Sequence, residues 1–66
     1  MNVTINGSSK QLDEGTNLED IVRGLCGNPA HVIAELNGAI IAGPRRPTTK
    51  IKDGDRLELV AFVGGG

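Results

Sequence analysis

The residues with the most evident chemical use stand at the end of the sequence: Val60-Ala61-Phe62-Val63 runs directly into Gly64-Gly65-Gly66, and Gly66 is the last of 66 residues. If this is the end of the polypeptide, an α-carboxylate, ionised at neutral pH, stands there on a stalk without side chains. A carboxylate is a poor acyl donor, because resonance deactivates its carbon and one oxygen must first be made a leaving group. Transfer to AMP from ATP, with magnesium shielding the phosphates, would do this. The sequence contains no Gly-x-x-x-x-Gly-Lys phosphate loop. The chain is therefore expected to bind no cofactor itself, ATP and magnesium being supplied at an activating partner.

Glycine suits such a stalk, since without Cβ the backbone approaches other groups closely. Three extended residues reach roughly 10 Å, at about 3.3–3.6 Å each, enough to cross the rim of a partner's active site. Gly64, Gly65 and Gly66 bury nothing that offsets a backbone ordering cost of about 1–2 kcal/mol each, which predicts a disordered tail. The competing reading is a frayed end or a linker remnant. The strand before the tail argues against it. Leu57, Leu59 and Ala61 share one face and Glu58, Val60 and Phe62 the other, and a single helix cannot cover both. Val60 and Phe62 are thus candidate partner-docking residues beside the tail.

Length and composition narrow the remaining classes. A domain of 66 residues buries only about 60% of its unfolded surface, which leaves no room for a deep substrate cavity and favours a carrier or adaptor over an enzyme. The formal charge of −1, seven scattered Lys and Arg, no Trp or Tyr and a single Phe offer neither a basic stripe nor stacking platforms, so nucleic acid is not expected. One cysteine, Cys26, cannot form an internal disulfide, and no Cys/His set has metal-ligand spacing. A reducing, cytoplasmic setting fits. Neither a signal-peptide layout nor a membrane-spanning apolar run is present, so a soluble protein without a targeting segment is expected.

The elements that must position the tail follow from periodicity. Val3 and Ile5 alternate with polar residues, Asn6-Gly7 signals a hairpin, and a polar return strand over Lys10-Gln11-Leu12 suits a sheet edge. Thr16-Asn17-Leu18-Glu19 reads as a capping box with Thr16 as the cap. Leu18, Ile21, Val22 and Leu25 then form one apolar stripe, with Glu19, Asp20 and Arg23 toward water. Gly27 suits a left-handed cap, and Pro29 prevents continuation. Val32 to Leu36 is a third strand, Asn37-Gly38 a second hairpin signal and Ala39 to Ala42 a fourth strand. Gly43 to Pro47 reads as a loop, and 48–52 as either a short extended piece or a turn. Asp53-Gly54-Asp55 turns the chain into a last strand over Arg56 to Val63. The expectation is an α+β fold, one main helix on one face of a mixed sheet of four to five strands, with the last strand central beside the first. The domain covers 1–63 and the flexible tail 64–66.

With Asn37-Gly38, Asp53-Gly54-Asp55 and the Phe62-Val63-Gly64-Gly65-Gly66 ending, the whole chain resembles the sulfur carrier proteins of thiamin biosynthesis, the ThiS family. That resemblance implies a ubiquitin-like β-grasp fold. It also implies a cycle in which a ubiquitin-activating-type, ThiF-like adenylyltransferase adenylates the carboxylate of Gly66. A sulfur donor enzyme then provides sulfur to give a thiocarboxylate, and a ThiG-like thiazole synthase receives it. Gly65 and Gly66 match the Gly-Gly ending that similar families share, and Gly64 is an additional glycine. The carrier is expected to be monomeric when free, without membrane or nucleic-acid partners. Similar tails also belong to the molybdopterin-synthase small subunit and to ubiquitin-like protein modifiers, and a structural module with an idle tail is a third class.

Other residues have plainer readings. Cys26 reads as a small buried apolar side chain and His31 as a solvated or hydrogen-bonded loop residue. Arg45 and Arg46 read as solvated loop arginines, and Asp53 and Asp55 as turn formers rather than an acid/base pair.

Overall fold

The computed structural model describes residues 1–62. Val63 and the three terminal glycines, on which the expected strand end and disordered tail fall, lie outside the described residues. Five strands, β1 (Asn2–Ile5), β2 (Ser8–Gln11), β3 (Val32–Leu36), β4 (Ala39–Ile41) and β5 (Arg56–Ala61), form one sheet in the order β2-β1-β5-β3-β4. The central β5 is parallel to β1 and antiparallel to β3. Helix α1 (Leu18–Leu25) crosses one face, and short 3-10 helices occupy Pro29–His31 and Gly43–Thr48. This is the expected mixed sheet with one main helix.

Both Asn-Gly pairs make two-residue turns in which each residue has positive φ, 49° and 82° at Asn6 and Gly7, 51° and 90° at Asn37 and Gly38. That is the type I′ geometry whose twist matches the flanking strands. The tightness of the first turn sets Ile5 opposite Ser8, so β2 starts two residues earlier than its apolar content suggests. At the sheet edge it is exposed throughout.

The apolar side chains of β1, β3 and β5 (Val3, Ile5, Val32, Ala34, Leu57) meet Leu18, Ile21 and Val22 of α1, all buried. Ile51 joins them. The segment left open between an extended piece and a turn is thus partly extended, with Lys50 bridging Asn17 and Ile51 N–H donating to the Thr16 carbonyl at 3.1 Å.

That bridge moves the helix start. Thr16 is held extended by residues 49–51, and its hydroxyl donates backward to the Asp13 carbonyl at 2.7 Å. Asn17 is the cap instead, its side chain accepting from Asp20 N–H at 2.9 Å while Asp20 Oδ2 accepts from Asn17 N–H at 3.4 Å. The capping box exists one residue later than the Thr16 to Glu19 reading. At the other end Cys26 is the extended cap and Gly27 is not left-handed. Leu25 falls past the core and is 57% exposed.

The largest departure is the Pro-flanked loop. Gly43–Thr48 is a 3-10 helix whose Arg46 is buried, at 6% exposure. Its guanidinium donates to Glu19 Oε1 at 2.8 Å, to the Val32 carbonyl at 3.1 Å and to the Pro29 carbonyl at 2.9 Å. Glu19, expected to face water, is correspondingly only 15% exposed at its side chain and also accepts from Arg23 at 2.9 Å. A buried guanidinium needs partners for its planar array of donors, and the carbonyls around Pro29 supply what a carboxylate alone cannot. Arg45 is exposed, as expected.

Candidate functional site

The site is assembled on the sheet face opposite α1. Along β5, side chains alternate: Leu57 is buried under α1 and Leu59 half-buried, while Glu58 and Val60 point to the open face. Pairing with β3 places Ile33 opposite Val60 and Glu35 opposite Glu58. One step further in the same register, beyond the end of β3, His31 lies opposite Phe62. The Phe62 N–H donates to the His31 carbonyl at 2.9 Å, and the two rings stack with centroids 5.4 Å apart at 29°.

The open face therefore has two parts. Toward the end of β5 stand Ile33, Val60 and Phe62, exposed by 45, 57 and 44%. Toward its start stand Glu35 and Glu58, two like charges directly opposite each other, an arrangement that a sheet tolerates at a cost and that a cationic group on a partner would relieve. Ile40 on β4, across from Glu35, is 70% exposed and flanks this acidic pair. An apolar strip ending in Phe62 thus leads to the point where Val63 and the three glycines follow in sequence.

Val60 and Phe62 stand on the open face where alternation puts them. Ile33 and Ile40 were not anticipated. Ile33 is out of phase with the buried Val32 and Ala34 and was legible in principle, whereas Ile40 needs the β3–β4 register. Of the two readings of His31, solvated or hydrogen-bonded, the structure shows the second, with the Asn28 amide 3.3 Å from Nδ1; what the sequence reading missed is that its ring is the cross-strand neighbour of Phe62. Asp53 and Asp55 are turn formers: Asp53 Oδ1 accepts from Asn2 N–H at 2.6 Å, and Asp55 accepts from Lys52 N–H at 2.8 Å and from Asn37 Nδ2 at 2.9 Å.

Among the described residues no group of three or more His, Cys, Asp or Glu side chains is arranged to hold a metal ion, and no helix is long and apolar enough to cross a membrane. Cys26, expected to be buried, is only half-buried against the core, because it caps the end of α1. An open apolar groove of about 250 Å³ lies on the helix side, lined by Ile5, Leu12, Ile21 and Leu25, with Lys10 and Asp20 at its rim. It belongs to the other face from Val60.

A five-stranded mixed sheet with β5 central and parallel to β1, one helix across it and an apolar open face defines a ubiquitin-like β-grasp protein. Residues 3–66 match the ThiS family, and the chain belongs to that family. It is similar over its full length to the crystal structure of thiamine biosynthesis protein ThiS from Geobacter metallireducens, with a TM-score of 0.84, 35% identity and all of that chain covered. A solution structure of a thiamine biosynthesis protein from the same organism gives a TM-score of 0.79 and 36% identity over 88% of that chain. Two proteins described as thiazole synthase, from Magnetococcus marinus and Paramagnetospirillum magneticum, are each 32% identical over 66 residues, all of this chain but only 20% of theirs. The chain thus spans about a fifth of the length of these curated relatives.

Proposed function

We propose that the chain is a sulfur carrier of thiamin biosynthesis, a protein co-substrate whose Gly66 carboxylate is handled by other enzymes. The observation that carries this reading is the apolar strip of Ile33, Val60 and Phe62, exposed on the sheet face away from α1 and followed in sequence, after Val63, by three glycines. A carrier must dock without a cavity and deliver a terminus beyond its own surface, and an exposed apolar strip followed in sequence by glycines supports that reading. A carboxylate oxygen of Gly66 attacks the α-phosphorus of ATP on a ThiF-like partner, pyrophosphate leaves, and an acyl-adenylate forms with magnesium supplied there. The outer sulfur of a persulfide on a donor enzyme then attacks the acyl carbon and AMP departs, giving an acyl disulfide; a second thiol attacks the donor's sulfur, forming a disulfide with it and releasing the thiocarboxylate. Gly64 and Gly65 serve as the stalk.

Thiazole synthase is the proposed acceptor. Relatives bearing that name carry a stretch matching the whole of this chain, which is what a carrier and acceptor working together would favour. A free monomer in a reducing cytoplasm suits both the lone Cys26 thiol and a product thiocarboxylate.

Intact-mass measurement after incubation with the adenylating enzyme, ATP, magnesium and a sulfur donor tests this reading. The expected result is replacement of one oxygen by sulfur, abolished when a residue is added after Gly66. Higher-mass conjugates would indicate a protein modifier instead, and an unchanged mass would overturn the carrier reading.

A further inference from the structure

We propose that His31 is a positioning residue for the docking surface: its imidazole clasps Phe62 and so holds that ring beside Val60. The proposal rests on the carrier reading for its use, but the clasp itself is a property of the free chain. β1 ends at Ile5 and β3 begins at Val32, so Phe62 lies beyond the paired length of both neighbouring strands. On the β1 side, the last ties to β5 come from the Asn6 side chain, which accepts from Leu59 N–H at 2.8 Å and donates to the Leu59 carbonyl at 3.2 Å. Past Leu59, the described contacts that hold the strand on the β3 side end with the Phe62 N–H to His31 bond and the stacked rings.

His31 is itself well anchored. Its N–H donates to the Asn28 carbonyl at 2.9 Å, and the Asn28 side-chain amide lies 3.3 Å from Nδ1. The turn is pinned from beneath by Arg46, which binds the carbonyls of Pro29 and Val32 on either side of it and is fixed to Glu19 of α1. A line of contacts therefore runs from the helix through a buried guanidinium to the aromatic ring that precedes the tail. The imidazole face is the last link before Phe62, and a main-chain bond alone would leave the Phe62 ring free to rotate away.

The consequence is a preformed docking state. If the ring were unclasped, only a fraction of molecules would present Phe62 beside Val60, and the apparent affinity for a partner would fall by that fraction. Stacked aromatic pairs bias such equilibria by roughly two- to twelve-fold. Chemistry after docking would be untouched, so the effect belongs in KM and not in kcat.

The test compares His31→Ala with His31→Phe, which keeps an aromatic face. In the free chain, His31→Ala is expected to shift the Phe62 ring proton resonances and to speed exchange of the Phe62 amide, with both largely restored in His31→Phe. In ATP–pyrophosphate exchange with the cognate activating enzyme, His31→Ala should raise KM by roughly two- to twelve-fold at unchanged kcat, and His31→Phe should return it close to the parent value. Unchanged Phe62 resonances and exchange in His31→Ala would overturn the clasp. A loss confined to kcat, or no rescue by His31→Phe, would overturn its positioning role. Should the parent chain support no pyrophosphate exchange at all, the carrier reading falls, while the free-chain measurements still uphold or overturn the clasp.

Discussion

The two ends of β5 are built to different standards. At its start, Thr4 N–H binds the Asp55 carbonyl at 3.0 Å, Asn6 N–H the Leu57 carbonyl at 2.9 Å and Asn37 N–H the Arg56 carbonyl at 2.8 Å, while the Asn37 side chain accepts from Arg56 N–H at 2.9 Å. Both neighbouring strands and two turns converge there, over the fully buried Leu57. At the other end, Ala61 and Phe62 are exposed, and Phe62 is tied to the turn before β3 by one hydrogen bond and one ring stack. One strand thus changes within six residues from the centre of the fold to a presentation arm. On the proposed function, the difference teaches that stability and delivery are separated along the chain, so substitutions at the two ends should fail in different ways.

Leu57→Ala should break the comparison most completely. Leu57 is 0% exposed and packs at the centre of the core, and truncation of such a leucine costs about 2–5 kcal/mol. A domain this small has about 3–5 kcal/mol in total, so the variant is expected to be largely unfolded. Urea titration followed by circular dichroism checks this, and a midpoint close to that of the parent would show that the start of β5 is less central than its packing indicates.

Arg46→Met is the second in size and bears on how the two ends are connected. The substitution keeps much of the aliphatic volume but removes the donors to Glu19, Pro29 and Val32. Two carbonyls and a carboxylate that is 15% exposed would be left short of partners, at a cost of about 2–3 kcal/mol, since Glu19 retains Arg23 and some water. Hydrogen exchange sharpens the comparison. In conditions where the fold persists, amides of Val32 and Phe62 should lose protection more than that of Asn6 at the start of β5. Uniform loss would mean that Arg46 serves the whole core and not the presenting end in particular.

How much of this was legible in the sequence follows the range of each interaction. Period-two alternation and the Asn-Gly pairs are local, and they gave the strands, both hairpins and the outward facing of Val60 and Phe62, while the central place of β5 followed from the compact packing of one helix on a mixed sheet. The capping register was ambiguous because Thr16-x-x-Glu19 and Asn17-x-x-Asp20 overlap, and the choice between them depends on a bridge from residues 49–51. Arg46 was misread for a similar reason: a basic residue between prolines has every local mark of solvation, and its carboxylate partner lies 27 positions away. His31 and Ile40 enter the site only through strand register, which local composition does not encode. The terminal glycines, plain in the sequence, lie outside the described residues, so the tail's chemistry rests on sequence and family and not on geometry.

The smallest expected effect on stability, and the one most specific to the presenting end, comes from the paired substitutions Ile33→Thr and Val60→Thr. Threonine keeps the β-branch that suits a strand and almost the same shape at position 60. Both sites are about half exposed and face away from the core, so folding stability should change by no more than about 0.5 kcal/mol at each. Docking is another matter, because apolar surface hidden under a partner contributes about 25 cal/mol per Å². Loss of even a part of each side chain's contact, about 1 kcal/mol, would raise KM for the activating enzyme about five-fold per site. The two residues face one another across the strands, so their effects should be less than additive if one apolar group of the partner covers both. Full additivity would mean that they meet separate features. Unchanged KM in the double variant, with the fold intact, would remove the open face from the docking surface and leave the end of β5 as a support for the tail alone.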